Sequence, residues 1–267
     1  FGIGLVSTTE DFGLQGEVPS HPELLDWLAV EFIGSGWDVK AMHRLIVTSA
    51  TYRQSSRSSE AIVAADPKNR LLAHGPRYRA DGFVIRDIAL QASGLLNEQV
   101  GGPSIKPYQP DGLWESLAAS AGTKYRISGG NALYRKSMYS YWKRAVNPPR
   151  QIIFDGGGRE VCNVRVRRTN TPLQALVLNA PTFIEAARKL SERALRMPEL
   201  SDPQRIEAIY TQAIAKPISD RSSKVLLDSL AYFRQHFKTK PDDAIKLIST
   251  GASPRDESLD GTEHAAW

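Results

Sequence analysis

Arg165, Arg167, Arg168 and Thr171 come closest to forming a site in this sequence. Val164 and Val166 alternate with Arg165 and Arg167, the period of an extended segment. Thr171 stands where a helix cap belongs. Pro172 suits the first helical position, and Gln174, three residues after Thr171, completes a capping-box pattern. Three guanidiniums would then approach the positive end of a helix, where unpaired backbone N–H groups favour an anion. The same arginines could pair instead with the chain's own acids, Asp155 and Glu160 being nearest in sequence. Both readings are open at this level.

A second set, Asp11, His21, Asp26 and Asp155, has the side-chain types of acid–base catalysis. Two carboxylates facing each other at about 5–10 Å across one cleft would suit glycoside hydrolysis. His21, Glu23, Asp26 and His43 are possible metal ligands, but no His-x-x-x-His or comparable spacing joins them, and no metal site is assigned. Cys162 is the only cysteine. The chain therefore has no internal disulfide, cysteine-based zinc cluster or Cys-x-x-Cys-His haem attachment. Cys162 itself reads as a small buried hydrophobe.

The net charge of +5 is unevenly spread. Residues 124–168 hold 11 Lys/Arg against 2 Asp/Glu, a balance of +9 that leaves about −4 elsewhere. Tyr125, Tyr134, Tyr139, Tyr141, Trp142 and Phe154 lie inside this basic stretch. Such a segment can face an anionic glycan or another polyanion, or its aromatics can be core beneath a solvated face. Nucleic acid is disfavoured as a partner, because no recognition motif accompanies the charge. No apolar run is long enough to span a bilayer.

These residues must be positioned by a mainly α framework. We expect one irregular helical domain over residues 1–267, with a small two-stranded β-element and long Gly/Pro-rich loops. Residues 1–100 carry the N-terminal helices. Ser20-His21-Pro22-Glu23 has a capping-box pattern ahead of Leu24, Leu25, Trp27, Leu28 and Phe32, and Asp38 caps the next helix. Helical spacing returns over 79–96, where Arg86-Asp87 suggests a buried charge network of structural purpose. Residues 101–170 form the loop-rich basic section, with a helix over 133–144. A strand over 151–154, the turn Asp155-Gly156-Gly157-Gly158 and a partner strand over 161–167 make its β-hairpin. Residues 171–250 form a C-terminal helical bundle, and the polar residues after Gly251 read as unfixed. The chain lacks an initial Met, and we expect a fragment of a larger protein.

Several of these segments also carry a resemblance. They include Asp11-Phe12-Gly13, the run from His21-Pro22-Glu23-Leu24-Leu25-Asp26-Trp27 to Ala29, His43-Arg44-Leu45-Ile46 and Ser49-Ala50-Thr51-Tyr52-Arg53. Arg86-Asp87, Gly101-Gly102-Pro103 and Thr171-Pro172-Leu173-Gln174-Ala175-Leu176 continue it. The chain resembles the planctomycete-type C-terminal domain of unknown function found in large proteins that often carry an N-terminal cytochrome-c-like domain. The resemblance covers nearly the whole sequence. It implies an accessory or ligand-binding region of an exported, surface or periplasmic protein. Haem would be held only by an upstream domain, and no cofactor by these residues. It brings no reaction and no catalytic residues. Where the family usually shows Arg-Leu-x-Ala-Glu, this chain has Arg79-Ala80-Asp81-Gly82-Phe83, so Phe83 stands where the glutamate would be.

Overall fold

The structure is a computed structural model that describes residues 1–117, 124–143, 146–158, 164 and 168–267. Among these, twelve α-helices and two short 3-10 turns carry the fold, and β-structure is confined to three isolated bridges. The mainly α expectation holds. The chain divides into two compact units, the first built on Phe1–Arg79, the second on Ala80–Val161 and Arg167–Trp267.

The first unit contains α1 (Pro22–Gly34), α2 (Val39–Thr48) and α3 (Glu60–Ala65). Asp38 caps α2 as expected, accepting from the N–H groups of Lys40 and Ala41 at 2.9 and 3.0 Å. The cap expected from Ser20 is absent. His21 occupies the N-cap position, and the Ser20 hydroxyl bonds to His21 Nδ1 at 3.0 Å. The register is set one residue later because Pro22 takes the first helical position, where its missing N–H is harmless. Leu28 and Phe32 of α1 are half-buried, while Leu24, Leu25 and Trp27 remain exposed.

The second unit starts with α4 (Gly82–Ser93). Asp81 caps it through the N–H groups of Phe83 and Val84, and Gly94 ends it in the left-handed conformation that an L side chain resists. A short α5 (Leu113–Leu117) lies in the loop section. The helix expected over 133–144 is replaced by 3-10 turns at Gly130–Tyr134 and Ser137–Tyr139, linked through extended Arg135 and Lys136. The reason is tertiary. Buried Arg86 on α4 takes the carbonyls of Leu133 (2.7 Å) and Arg135 (2.9 Å), acceptors that an α-helix would need for itself.

The strand expected over 151–154 is also corrected. It is helical, as α6 (Pro149–Ile153). Pro149 opens the turn, and the carbonyl of Pro148 accepts from both Gln151 and Ile152. Asp155 then adopts φ +60° and turns the chain away. Of the expected partner strand over 161–167, only Val164 lies among the described residues, so no hairpin is assigned.

Next come α7 (Pro172–Val177), α8 (Pro181–Leu195), α9 (Asp202–Ile214), α10 (Asp220–Thr239), α11 (Pro241–Ile248) and α12 (Gly261–Ala266). Ile206, Leu230, Phe237, Ala244 and Ala266 form one core cluster, and Leu90, Leu133 and Tyr134 another. The residues after Gly251 are not loose. Buried Glu185 on α8 accepts the Ser253 N–H at 2.6 Å, and Arg188 donates to the Ser253 carbonyl at 2.7 Å. His264 is 2% exposed. Polar composition misled here because the partners of these polar groups lie about one bundle layer away rather than in solvent.

Candidate functional site

The second unit contains a cavity of about 30 Å³, lined by Gly82 and Arg86 of α4, Arg150 and Gln151 of α6, Phe183 of α8, and Tyr108, Gln109, Tyr125, Phe154 and three prolines. Glycine at 82 lets the two helices close on each other. A Cβ there would stand 3.0 Å from the Cα of Gln151 and 3.1 Å from the Cβ of Phe154. The double proline before Arg150 fixes the first turn of α6 and with it the start of the Arg150 side chain.

Two guanidiniums line this one small space. Arg86 is 6% exposed and donates to Leu133 O, Arg135 O and, at 3.2 Å, Ser137 Oγ. Its Nε is buried without a partner. The nearest carboxylate, Asp87, is 3.6 Å away and also accepts the Ser137 N–H at 2.8 Å. Arg150 donates to Thr182 Oγ1 and to the carbonyl of Tyr108. Among the described residues no carboxylate lies within 4.0 Å of it.

Loss of water pushes Arg86 down to about 10, against the pull of Asp87. The same loss pushes Arg150 down to about 10, with repulsion from Arg86 adding to it. Guanidinium holds its proton too firmly to lose it at neutral pH, so both charges persist inside the wall. Tyr125 supplies no countercharge. Its hydroxyl donates to Pro107 O at 2.7 Å, and burial pushes the phenol up to about 12 although both arginines act the other way. Gln151 is 4% exposed; its amide nitrogen donates to Ser140 Oγ at 3.2 Å and its Oε1 has no partner.

A family model described as PSD1, a protein of unknown function (DUF1553), matches residues 1–230. The chain belongs to the PSD1 family. No curated protein and no solved structure matches it. The family match spans α1 to α9 and the first half of α10, and so contains the whole lining of the arginine cavity in this PSD1 chain.

The residues nominated from the sequence are spread over both units. Asp11, His21 and Asp26 lie in the first. Asp11 is exposed and accepts the Gly13 N–H at 3.0 Å, while His21 is bonded to Ser20. Asp155 lies in the second, where it accepts the N–H and hydroxyl of Thr169 at 2.7 and 2.9 Å. None of the four lines the arginine cavity. Among the described residues no group of three His, Cys, Asp or Glu is placed to hold a metal ion.

Arg165 and Arg167 lie outside the described residues. Arg168 and Thr171 precede α7, a helix of only six residues. The expected capping box between Thr171 and Gln174 is present. Gln174 accepts the Thr171 N–H at 3.2 Å, and its amide nitrogen donates to Ile153 O at 2.9 Å, tying α7 to α6. The aromatics of the basic stretch mostly turn inward. Tyr134 and Phe154 are buried, Tyr125 packs against Trp114, and Lys106 and Lys143 lie over the Trp114 ring.

Sequence reasoning placed Arg86 in a structural charge network and passed over Arg150. The available signal was helical spacing: Gly82, Arg86, Leu90 and Ser93 share one face of α4, so the charge sits on the buried stripe. Arg150 has no comparable local signal.

Proposed function

We propose that this chain is a non-catalytic, ligand-binding accessory module that receives an anionic group between α4 and α6. The observation that carries this reading is Arg150, a largely enclosed guanidinium beside a second one, with no carboxylate against it among the described residues. An uncompensated charge away from water costs several kcal/mol in effective terms. An arriving anion would relieve that penalty for both arginines at once. The family resemblance supports placing the module in a larger surface or periplasmic protein with a cytochrome-c-like partner domain. The wider ligand would be an anionic small molecule or glycan. The hydrolytic alternative lacks comparable support, because the cavity lining contains no carboxylate to serve as acid or base.

The test is thermal unfolding in a buffer of bulky ions, with small anions added at constant ionic strength. A bound anion raises the midpoint, since saturation at a hundred times Kd stabilises by about 2.7 kcal/mol. The Arg150→Met protein should lose that rise. A midpoint indifferent to every anion, or a rise of equal size in the variant, removes the proposal.

A further inference from the structure

We infer that the group taken up by the arginine cavity is a carboxylate carried on a small organic ligand, in preference to a tetrahedral oxyanion. This rests on the anion reading above and narrows it. Three observations support it: the donors left over, the room available and the wall that surrounds them.

Guanidinium has five N–H donors in a planar fork. Arg86 commits three of them, to Leu133 O, Arg135 O and Ser137 Oγ, and keeps two, the buried Nε among them. Arg150 commits two, to Thr182 and Tyr108. The two arginines that line the cavity thus hold a surplus of donors, which an acceptor-rich guest can use. Gln151 adds to the surplus. Ser140 Oγ can donate or accept, so the Gln151 amide can turn end for end, satisfy its orphaned oxygen there and present its N–H₂ to the guest.

The room is small. A cavity of about 30 Å³ holds roughly two or three waters, at about 10–15 Å³ each on this measure. That accommodates the three heavy atoms of a carboxylate head more readily than the five of sulfate or phosphate. A planar carboxylate also matches a guanidinium fork through two parallel bonds. Apart from Gln109, the remaining wall is Pro107, Pro148, Pro149, Phe154 and Phe183, whose side chains have no donors to offer. The cavity is not closed, so the alkyl or ring carbons next to the head can extend past this wall. The source is either a free short-chain acid or the uronate of an acidic sugar; both present the same head to the arginines.

Calorimetric titration of the full chain with sodium acetate, glucuronate, sulfate and phosphate, at fixed ionic strength, decides the matter. Either carboxylate should bind at least about ten-fold tighter than sulfate or phosphate, a difference within reach of one bidentate charge-assisted pair. Acetamide should not bind. Tighter glucuronate points to an acidic sugar, and tighter acetate to a free acid. Arg150→Lys keeps the charge and loses the fork, so it should weaken carboxylate binding by about ten-fold and change sulfate binding little. The wild-type comparison stands even if that variant folds poorly. Sulfate or phosphate binding as tightly as the carboxylates overturns the carboxylate assignment and leaves the anion reading standing. No binding of any of the four overturns both.

Discussion

Replacing Glu185 with glutamine should destabilise the second unit by about 2–4 kcal/mol. Glu185 is 1% exposed. One of its oxygens accepts Tyr134 OH at 2.8 Å and Ser253 N at 2.6 Å; the other accepts Tyr108 OH at 3.0 Å. In Glu185→Gln the first two bonds survive as neutral ones and lose about 1 kcal/mol each, the difference between charge-assisted and ordinary hydrogen bonds. The third is lost. The glutamine N–H₂ meets a phenol that already accepts the Ala252 N–H at 2.6 Å, and leaving the phenol hydrogen unpartnered costs a further 1–3 kcal/mol or so. Against this, a buried charge disappears, which returns part of its desolvation penalty. Arg188 keeps Glu192 at 3.0 Å and is not stranded. Urea unfolding followed by near-ultraviolet circular dichroism measures the outcome. With a slope of about 2 kcal/mol per molar urea, the midpoint should fall by roughly 1–2 M at unchanged slope. Burial first, and the Glu185 charge second, push the Tyr108 phenol up to about 12, so its ultraviolet titration should move down in the variant while staying above the usual value. A urea midpoint within about 0.3 M of wild type would refute the claim that Glu185 organises this layer.

Two further outcomes follow, one from the C-terminal segment and one from the ion pair between α9 and α10. Gly251 has φ +100°, and a Cβ there would lie 2.3 Å from Glu185 Cδ, so Gly251→Ala should lose about 2–4 kcal/mol in the same urea assay, combining backbone strain with overpacking. A hydrogen bond from Arg234 holds the Asp202 carboxyl below its ordinary value of 3.8. A carboxyl depressed in the folded state contributes stability that is complete above its unfolded value and disappears as pH falls through the folded one. Acid titration of helical dichroism should therefore show a loss beginning near pH 3.8, with a shallower loss in Arg234→Met, and identical curves would contradict the assignment.

Most helices were legible because their signals are local. Asp38 before α2, Ser219 before α10 and the apolar spacing of α8 through α10 need no tertiary partner to be read. Two segments were misread, one because distant residues decide the backbone and one because of the prolines just ahead of it. Residues 133–144 have helical spacing, yet Arg86, 47 and 49 positions away from its two carbonyl partners, removes the acceptors. Gln151-Ile152-Ile153-Phe154 has the β-branched look of a strand, but the prolines ahead of it impose a turn of helix. Asp260, which caps α12 through the Glu263 N–H at 2.8 Å, could have been read from its Asp-x-x-Glu pattern and was not. The arginine cavity was half visible. Arg86 lies on a buried stripe, whereas Arg150 acquires its significance only when α6 meets α4.

The chain does own buried negative charge close to this cavity. Tyr108 separates the two: its carbonyl accepts from Arg150, and its hydroxyl donates to Glu185. Glu185 could in principle have answered Arg150. It is instead committed to Tyr134, Tyr108 and Ser253, bonds that hold α8 against the 3-10 turn and the C-terminal segment. Asp87 is likewise shared between Arg86 and the Ser137 N–H. Both acids are thus bound to scaffold work by directional bonds, and Arg150 is left with neutral acceptors. Carbonyl and hydroxyl partners satisfy individual N–H groups but do not cancel a full charge in a poorly solvated space. Arg86 also organises the backbone through the carbonyls of Leu133 and Arg135, whereas a fold that needed Arg150 for packing alone could use an uncharged side chain of similar volume, often with a gain in stability. On the anion reading proposed above, the positive charge on Arg150 is answered when something negative comes to it.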